Sequence, residues 1–154
     1  LALNQGHEQI SLRDEIDHVR QYLFIQKQRY GDKLQYEIEE DESIADYKLP
    51  KLVLQPLVEN AIYHGIKEID RQGMIRVTSE AEEGQLILSI YDNGRGFDVN
   101  ASMDATLLRL GGVGLKNVDQ RLRLQFGDDY HMEIQSEPDT FTQISLYLPL
   151  DSDD

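Results

Sequence analysis

The chain has 154 residues, 40% of them apolar, which suits one domain with one hydrophobic core and excludes an intrinsically disordered chain. It contains no Cys, so neither a disulfide framework nor a thiolate metal site is available, and a reducing compartment fits. Its 15 Lys and Arg against 29 Asp and Glu leave a formal net charge of −14, which repels nucleic acid and anionic membrane at long range.

Much of the acidity falls in predicted loops and ends, at Glu39 to Glu42, Glu80 to Glu83 and Asp151 to Asp154, and reads as a solvated surface. No apolar run approaches the roughly 20 residues of a membrane span, and no signal peptide is visible. Leu1 stands where an initiator Met would, so an excised fragment is expected.

Ser11-Leu12-Arg13-Asp14 reads as a helix start, with Ser11 capping and Asp14 reaching back. Leu12, Ile16, Val19 and Leu23 then recur at helical spacing, and Gly31 after Tyr30 marks the end. That stripe fits packing on the domain's own sheet, with a dimer or linker contact as the second reading. Residues 35–39 alternate as a strand, and 41–47 form a polar connection. Pro50 suits the first turn of a second helix running to about Gly65, with Pro56 inside it as an expected kink or break.

Residues 74–79 and 85–91 read as two strands of a hairpin turning at Glu82-Glu83-Gly84. Residues 98–110 are polar and irregular. A helix follows over 114–126, with Leu115, Val118, Leu122 and Phe126 on one face, broken by Gly127. Residues 130–136 and 140–148 form a closing hairpin. The order predicts an α+β fold, a two-layer sandwich with a mostly antiparallel sheet covered by helices on one face.

Three short patterns carry chemistry. Asp92-Asn93-Gly94-Arg95-Gly96-Phe97 puts a carboxylate at the end of an apolar strand, before glycines that allow close backbone approach. A buried carboxylate there can accept from an exocyclic amine; an ordinary Asx turn is the plain alternative. Gly112-Val113-Gly114-Leu115 opens a helix, where backbone N–H groups and the helix dipole favour an anion. Asn60, on the second helix, offers a hard oxygen suited to magnesium, and His64 lies one turn further on the same face.

In this order, the asparagine helix, the DxGxG turn and the GxGL helix start resemble the three boxes of the GHKL ATP-binding (Bergerat) fold. The wording of 53–66, VLQPLVENAIYHGI, resembles the LytS/YesM-type sensor histidine kinases in particular. So does the lead-in pattern of Glu15, Tyr22, Leu23, Ile25, Arg29, Tyr30, Gly31, Lys33 and Leu34. The resemblance implies ATP and Mg²⁺ as ligands, with Asn60 as the metal ligand and Asp92 reading the adenine amine, against guanine's carbonyl. Gly94, Gly96, Gly112, Val113, Gly114 and Leu115 would line the nucleotide site, and 98–110 would be its lid.

Arg109, Leu110 and Gly111 stand where the family has another Gly and a Ser or Thr. His64 is a candidate phosphate contact. Tyr63 occupies the place where related kinases carry a cation, so Lys67, Arg71, Arg109, Lys116 and Arg121 are the other candidates.

GHKL hydrolases and anti-sigma serine kinases resemble one another in a Glu one turn before the metal-binding Asn. Pro56 stands there, so hydrolysis by water should be slow. Glu59, the candidate catalytic residue, lies about 100° around the helix from Asn60; it either orients or deprotonates an incoming His or is simply solvated.

The resemblance implies three segments: a lead-in linker and helix over 1–34, the ATP-binding catalytic domain over 35–150, and an acidic tail over 151–154. It implies γ-phosphoryl transfer to a His on a separate dimerisation segment, a response regulator downstream, and a cytoplasmic position below a membrane-anchored bacterial sensor. None of His7, His18, His64 and His131 has the family's acceptor context, so self-phosphorylation by this chain is not expected. A stand-alone GHKL module, such as an anti-sigma serine kinase or an ATP-driven switch, is the second reading. A nucleotide-free interaction domain is the third.

Overall fold

The structure, a computed structural model, describes residues 8–99 and 113–150; of Val113 it describes the backbone only. Most of the expected lid, with Arg109, Gly111 and Gly112, lies outside the described residues, as do His7 and the tail 151–154.

The first helix forms as its local signals dictate. α1 spans Leu12–Tyr30, and Ser11 caps it by accepting the Asp14 N–H at 3.1 Å. Gly31 ends it at φ 57°, its N–H donating to the Lys27 carbonyl. Leu12, Ile16, Val19 and Leu23 are all buried in the common core.

Five strands make the main sheet: β2 (Leu34–Glu39), β4 (Gly73–Glu82), β5 (Gln85–Asp92), β6 (His131–Glu137) and β7 (Phe141–Pro149), in the order β2-β4-β5-β7-β6. The β2–β4 pair is parallel and the other three pairs are antiparallel. The parallel pair needs a crossover, which α2 (Leu54–Ile62) supplies. The β4–β5 turn has Glu83 and Gly84 at φ 51° and 80°, a backbone that follows the strands' right-handed twist.

The core lies between this sheet and the three helices, α1, α2 and α3 (Val113–Phe126). Leu57, Val58, Leu115, Val118 and Leu122 meet Ile75, Leu88, Ile90 and Leu146 there. Tyr130 is buried at its edge and donates to Asp119 of α3 at 2.6 Å. This is the two-layer α+β sandwich expected.

Two sequence expectations are corrected. Pro50 does not start α2. It ends a short strand, β3 (Lys48–Pro50), which pairs antiparallel with β1 (Gln9–Ser11) in a separate two-stranded sheet that periodicity did not reveal. Pro50 lies opposite Gln9 at the strand end, where a missing N–H is tolerated. Nor is Pro56 interior: α2 begins at Leu54, so Pro56 is the third helical residue. The first-turn N–H groups have no intrahelical acceptor, so no bond is lost and no kink follows.

Candidate nucleotide site

Asn60 sits on the buried face of α2 with only 9% of its surface exposed. Its side-chain amide has no hydrogen-bond partner among the described residues. Glu59, the next residue, points to solvent and accepts from Gln55 Nε2 at 3.1 Å. The geometry thus separates the two neighbours, as a helical step of about 100° requires.

Beyond α2 the backbone passes into one π-type turn, Tyr63–Lys67. Such turns shift the helix face and recur at functional sites. Here the shift presses Gly65 against the end of β5. A Cβ on Gly65 would fall 2.8 Å from Asp92 Cβ. Gly94 is tighter still, its Cβ position lying 2.4 Å from the His64 carbonyl and 2.5 Å from Gly65 Cα. Two glycines let the end of the Asn60 helix and the Asp92 turn touch backbone to backbone.

Asp92 ends β5 on the core side, 3% exposed. One carboxylate oxygen, Oδ1, accepts the Gly94 N–H at 2.9 Å. Burial pushes its pKa up to about 7, and the Gly94 N–H only partly opposes this. The turn after it is fixed from outside: Arg71 donates to the carbonyls of Asn93 and Gly94, and Asn93 Oδ1 accepts the Met74 N–H at 2.7 Å. Gly96, at φ 57°, lies where a Cβ would meet the Glu137 carbonyl, so only glycine fits.

His64 does not stand alone. Its Nδ1 is 3.1 Å from Glu68 Oε1 and 3.3 Å from an Arg95 guanidinium nitrogen, while Arg95 Nε holds the same Glu68 oxygen at 2.9 Å. A guanidinium can only donate, so Nδ1 either donates to Glu68 or accepts from Arg95, according to its tautomer. Sequence reading gave Glu68 and Arg95 no role; Arg95 was visible inside the DxGxG turn, and Glu68 follows His64 at helical i,i+4 spacing.

The other candidate cations are mostly engaged. Arg71 holds the turn carbonyls, Arg121 donates to the carbonyls of Lys51 and Leu52, and Lys67 Nζ sits 5.0 Å from the centre of the Tyr63 ring. Lys116, half-buried on α3, follows Gly114 and the buried Leu115 at the helix start. Among the described residues no cluster of His, Asp and Glu could hold a metal by itself.

A helix end bearing an orphaned amide, a buried carboxylate at a strand terminus and a glycine-opened helix, set on a two-layer sandwich, define a nucleotide-binding ATPase-type domain. The family model described as histidine kinase-, DNA gyrase B- and HSP90-like ATPase matches residues 45–152, and the chain belongs to that family, with the sequence character of the LytS/YesM-type kinases. A second model, histidine kinase, matches residues 1–34.

The chain is 38% identical over 147 residues to the sensor histidine kinase BtsS of Escherichia coli strain K12, and 34% identical over 148 residues to the sensor histidine kinase YesM of Bacillus subtilis strain 168. In both cases the match covers 96% of this chain and 25% of the relative. Among solved structures, the catalytic domain of histidine kinase ThkA superposes with a TM-score of 0.70 at 17% identity, covering 92% of this chain and 96% of that one. Acinetobacter baumannii histidine kinase AdeS gives 0.69 at 17% identity, over 94% and 68%. At that identity the likeness shows the fold. No helix among the described residues is long and apolar enough to cross a membrane.

Proposed function

We propose that this chain is the ATP-binding catalytic domain of a sensor histidine kinase and presents Mg²⁺-ATP for γ-phosphoryl transfer to a His on a dimerisation segment. The observation that carries this reading is the contact of two glycines that places the buried Asp92 against the end of the Asn60 helix. Asp92 would receive the adenine amine, Asn60 would ligate the metal, and the start of α3 at Gly114 and Leu115 would offer backbone N–H groups to the phosphates. Magnesium, when bound there, neutralises charge on the transferring phosphoryl group. His64, held by Glu68 and Arg95, supports the phosphate end, and Glu59, on the exposed side of α2, orients the incoming His. Residues 1–34 act as the lead-in to that segment, a response regulator receives the phosphoryl group, and the domain lies on the cytoplasmic side of a membrane-anchored sensor.

Pro56 supports transfer over hydrolysis. It occupies the position one turn before Asn60, and its ring has no proton acceptor. The chain should therefore release phosphate from ATP very slowly and form no stable phosphohistidine alone. Rapid turnover in a phosphate-release assay would favour the stand-alone hydrolase reading instead.

Calorimetric titration tests the site. ATP is expected to bind, magnesium to strengthen binding, and GTP to fail. Absence of binding at millimolar ATP overturns the reading.

Acidity gives a second test. With Oδ1 engaged by the Gly94 N–H, Oδ2 accepts the adenine amine best when ionised and is a hydroxyl when protonated, so affinity should rise with pH through the window around 7. The ionised fraction climbs from about a tenth at pH 6 to about nine tenths at pH 8, so affinity should rise roughly tenfold. Adenosine, with no titrating phosphate, should show the same factor, and a flat profile for adenosine removes Asp92 from the contact.

A further inference from the structure

Glu15 lies on the apolar stripe of α1, fully buried, and among the described residues no cation pairs with it at contact distance. Its carboxylate accepts three backbone N–H groups from a distant segment: Leu52 at 3.1 Å, and Val53 and Leu54 at 2.8 Å each. Those donors open α2, and Val53 at the cap position supplies no side-chain cap of its own. A carboxylate there answers both the orphan donors and the positive end of the helix dipole.

The same segment is held from the other side by α3. Arg121 donates through its two terminal nitrogens to the carbonyls of Lys51 at 2.7 Å and Leu52 at 2.6 Å. Leu52 has φ 62°, a left-handed conformation that a branched side chain adopts only under constraint, and its side chain is 46% exposed. Packing does not hold it in that shape. Its peptide groups do: the N–H goes to α1 and the C=O to α3.

This segment therefore joins the two helices that carry the nucleotide residues. Asn60 lies six residues after Leu54 on α2, and Gly114 lies seven before Arg121 on α3. We infer that Glu15 is a positioning residue for the magnesium–ATP site, setting the Asn60 helix against α3 through the strained Leu52 and Arg121. The inference rests on the nucleotide reading above.

The test uses the whole chain and compares two affinities, that for adenosine without metal and the gain in ATP affinity that magnesium brings. Glu15→Gln places an amide N–H against the Leu52 N–H, and Arg121→Lys cannot span two carbonyls. Both should lose tenfold or more of the magnesium-dependent gain while adenosine affinity stays within twofold. Leu52→Gly takes the same φ with both backbone bonds kept, so it should match wild type.

A magnesium gain unchanged in Glu15→Gln and Arg121→Lys, or one that falls together with adenosine affinity, overturns the positioning role. If circular dichroism shows Glu15→Gln unfolded, the half-buried Arg121→Lys decides alone. A wild type that binds ATP without any magnesium gain overturns the positioning role and leaves the adenine contact standing. A wild type that binds neither ligand overturns the nucleotide reading, and this inference with it.

Discussion

Asp92→Asn should make the ligand-free domain more stable near pH 8 while abolishing its affinity for ATP. The two effects have one origin. Asp92 is 3% exposed, and among the described residues its side chain makes one hydrogen bond, which Oδ1 accepts from the Gly94 N–H, so burial lifts its pKa from 3.8 to about 7. The folded chain binds this proton more tightly than the unfolded chain. Stability therefore falls as pH rises from about 4 to about 7, and above that window the full cost is present. A shift of about three units corresponds to roughly 4 kcal/mol at most.

Asparagine keeps an oxygen for the Gly94 N–H and carries no charge. Allowing for relaxation, the expected gain is about 1–3 kcal/mol at pH 8, or several degrees in Tm for a domain of this size, vanishing near pH 4. Urea or thermal unfolding at the two pH values measures it. Equal stability of the two proteins at pH 8 would show that Asp92 is not strained in the apo state. In the calorimeter, ATP affinity should drop at least about a hundredfold, because an amide N–H then faces the adenine amine.

Sequence patterning reveals the elements whose causes are local. The α1 stripe, its Ser11 cap and its Gly31 stop lie within one stretch, and the structure reproduces them. Asp92 at the end of an apolar strand was equally legible, because β5 is apolar along its core face and glycines follow at once. The start of α2 was not legible, for a physical reason. Its cap is Glu15, 37 to 39 residues away, so the local signals point instead to Pro50, the nearest conventional helix start.

A hint existed in Glu15 itself, a charged residue three after Leu12 and four before Val19, on the apolar face. The three-residue strands β1 and β3 are too short to show a period, and the parallel β2–β4 pairing depends on a crossover that spacing does not reveal. The candidate site divides in the same way. Asn60, Asp92, Gly94 and Gly96 announce themselves in sequence. The Arg95 contact with His64, and the π-type turn that brings Gly65 to Asp92, depend on tertiary contact, whereas Glu68 pairs with His64 locally at i,i+4.

Gly94→Ala should separate that contact from ordinary glycine effects. The added Cβ would sit 2.4 Å from the His64 carbonyl oxygen and 2.5 Å from Gly65 Cα, both backbone atoms that no rotamer change can move. Reaching even 3.0 Å from that oxygen requires a shift of 0.6 Å, the difference between 3.0 and 2.4 Å. The turn cannot yield easily, because Arg71 holds the Asn93 and Gly94 carbonyls and Asn93 is tied to Met74. The end of the Asn60 helix and the Asp92 turn must therefore part. Overpacking of this kind costs about 1–3 kcal/mol of stability. Parting the two halves of the binding site in this way should lower ATP affinity by about tenfold or more, since a misplacement of about 1 Å can cost about a hundredfold in rate.

Gly84→Ala is the matched control. Gly84 also has positive φ, at 80°, but nothing lies within 4 Å of its Cβ position, and it turns the β4–β5 hairpin at the far end of β5 from Asp92. It should lose about 1 kcal/mol through backbone strain and leave ATP affinity unchanged. If the two variants lose stability alike and both bind ATP normally, the glycine contact is only a fold feature. If only Gly94→Ala loses ATP, the backbone junction between helix end and turn is what aligns Asp92 with Asn60.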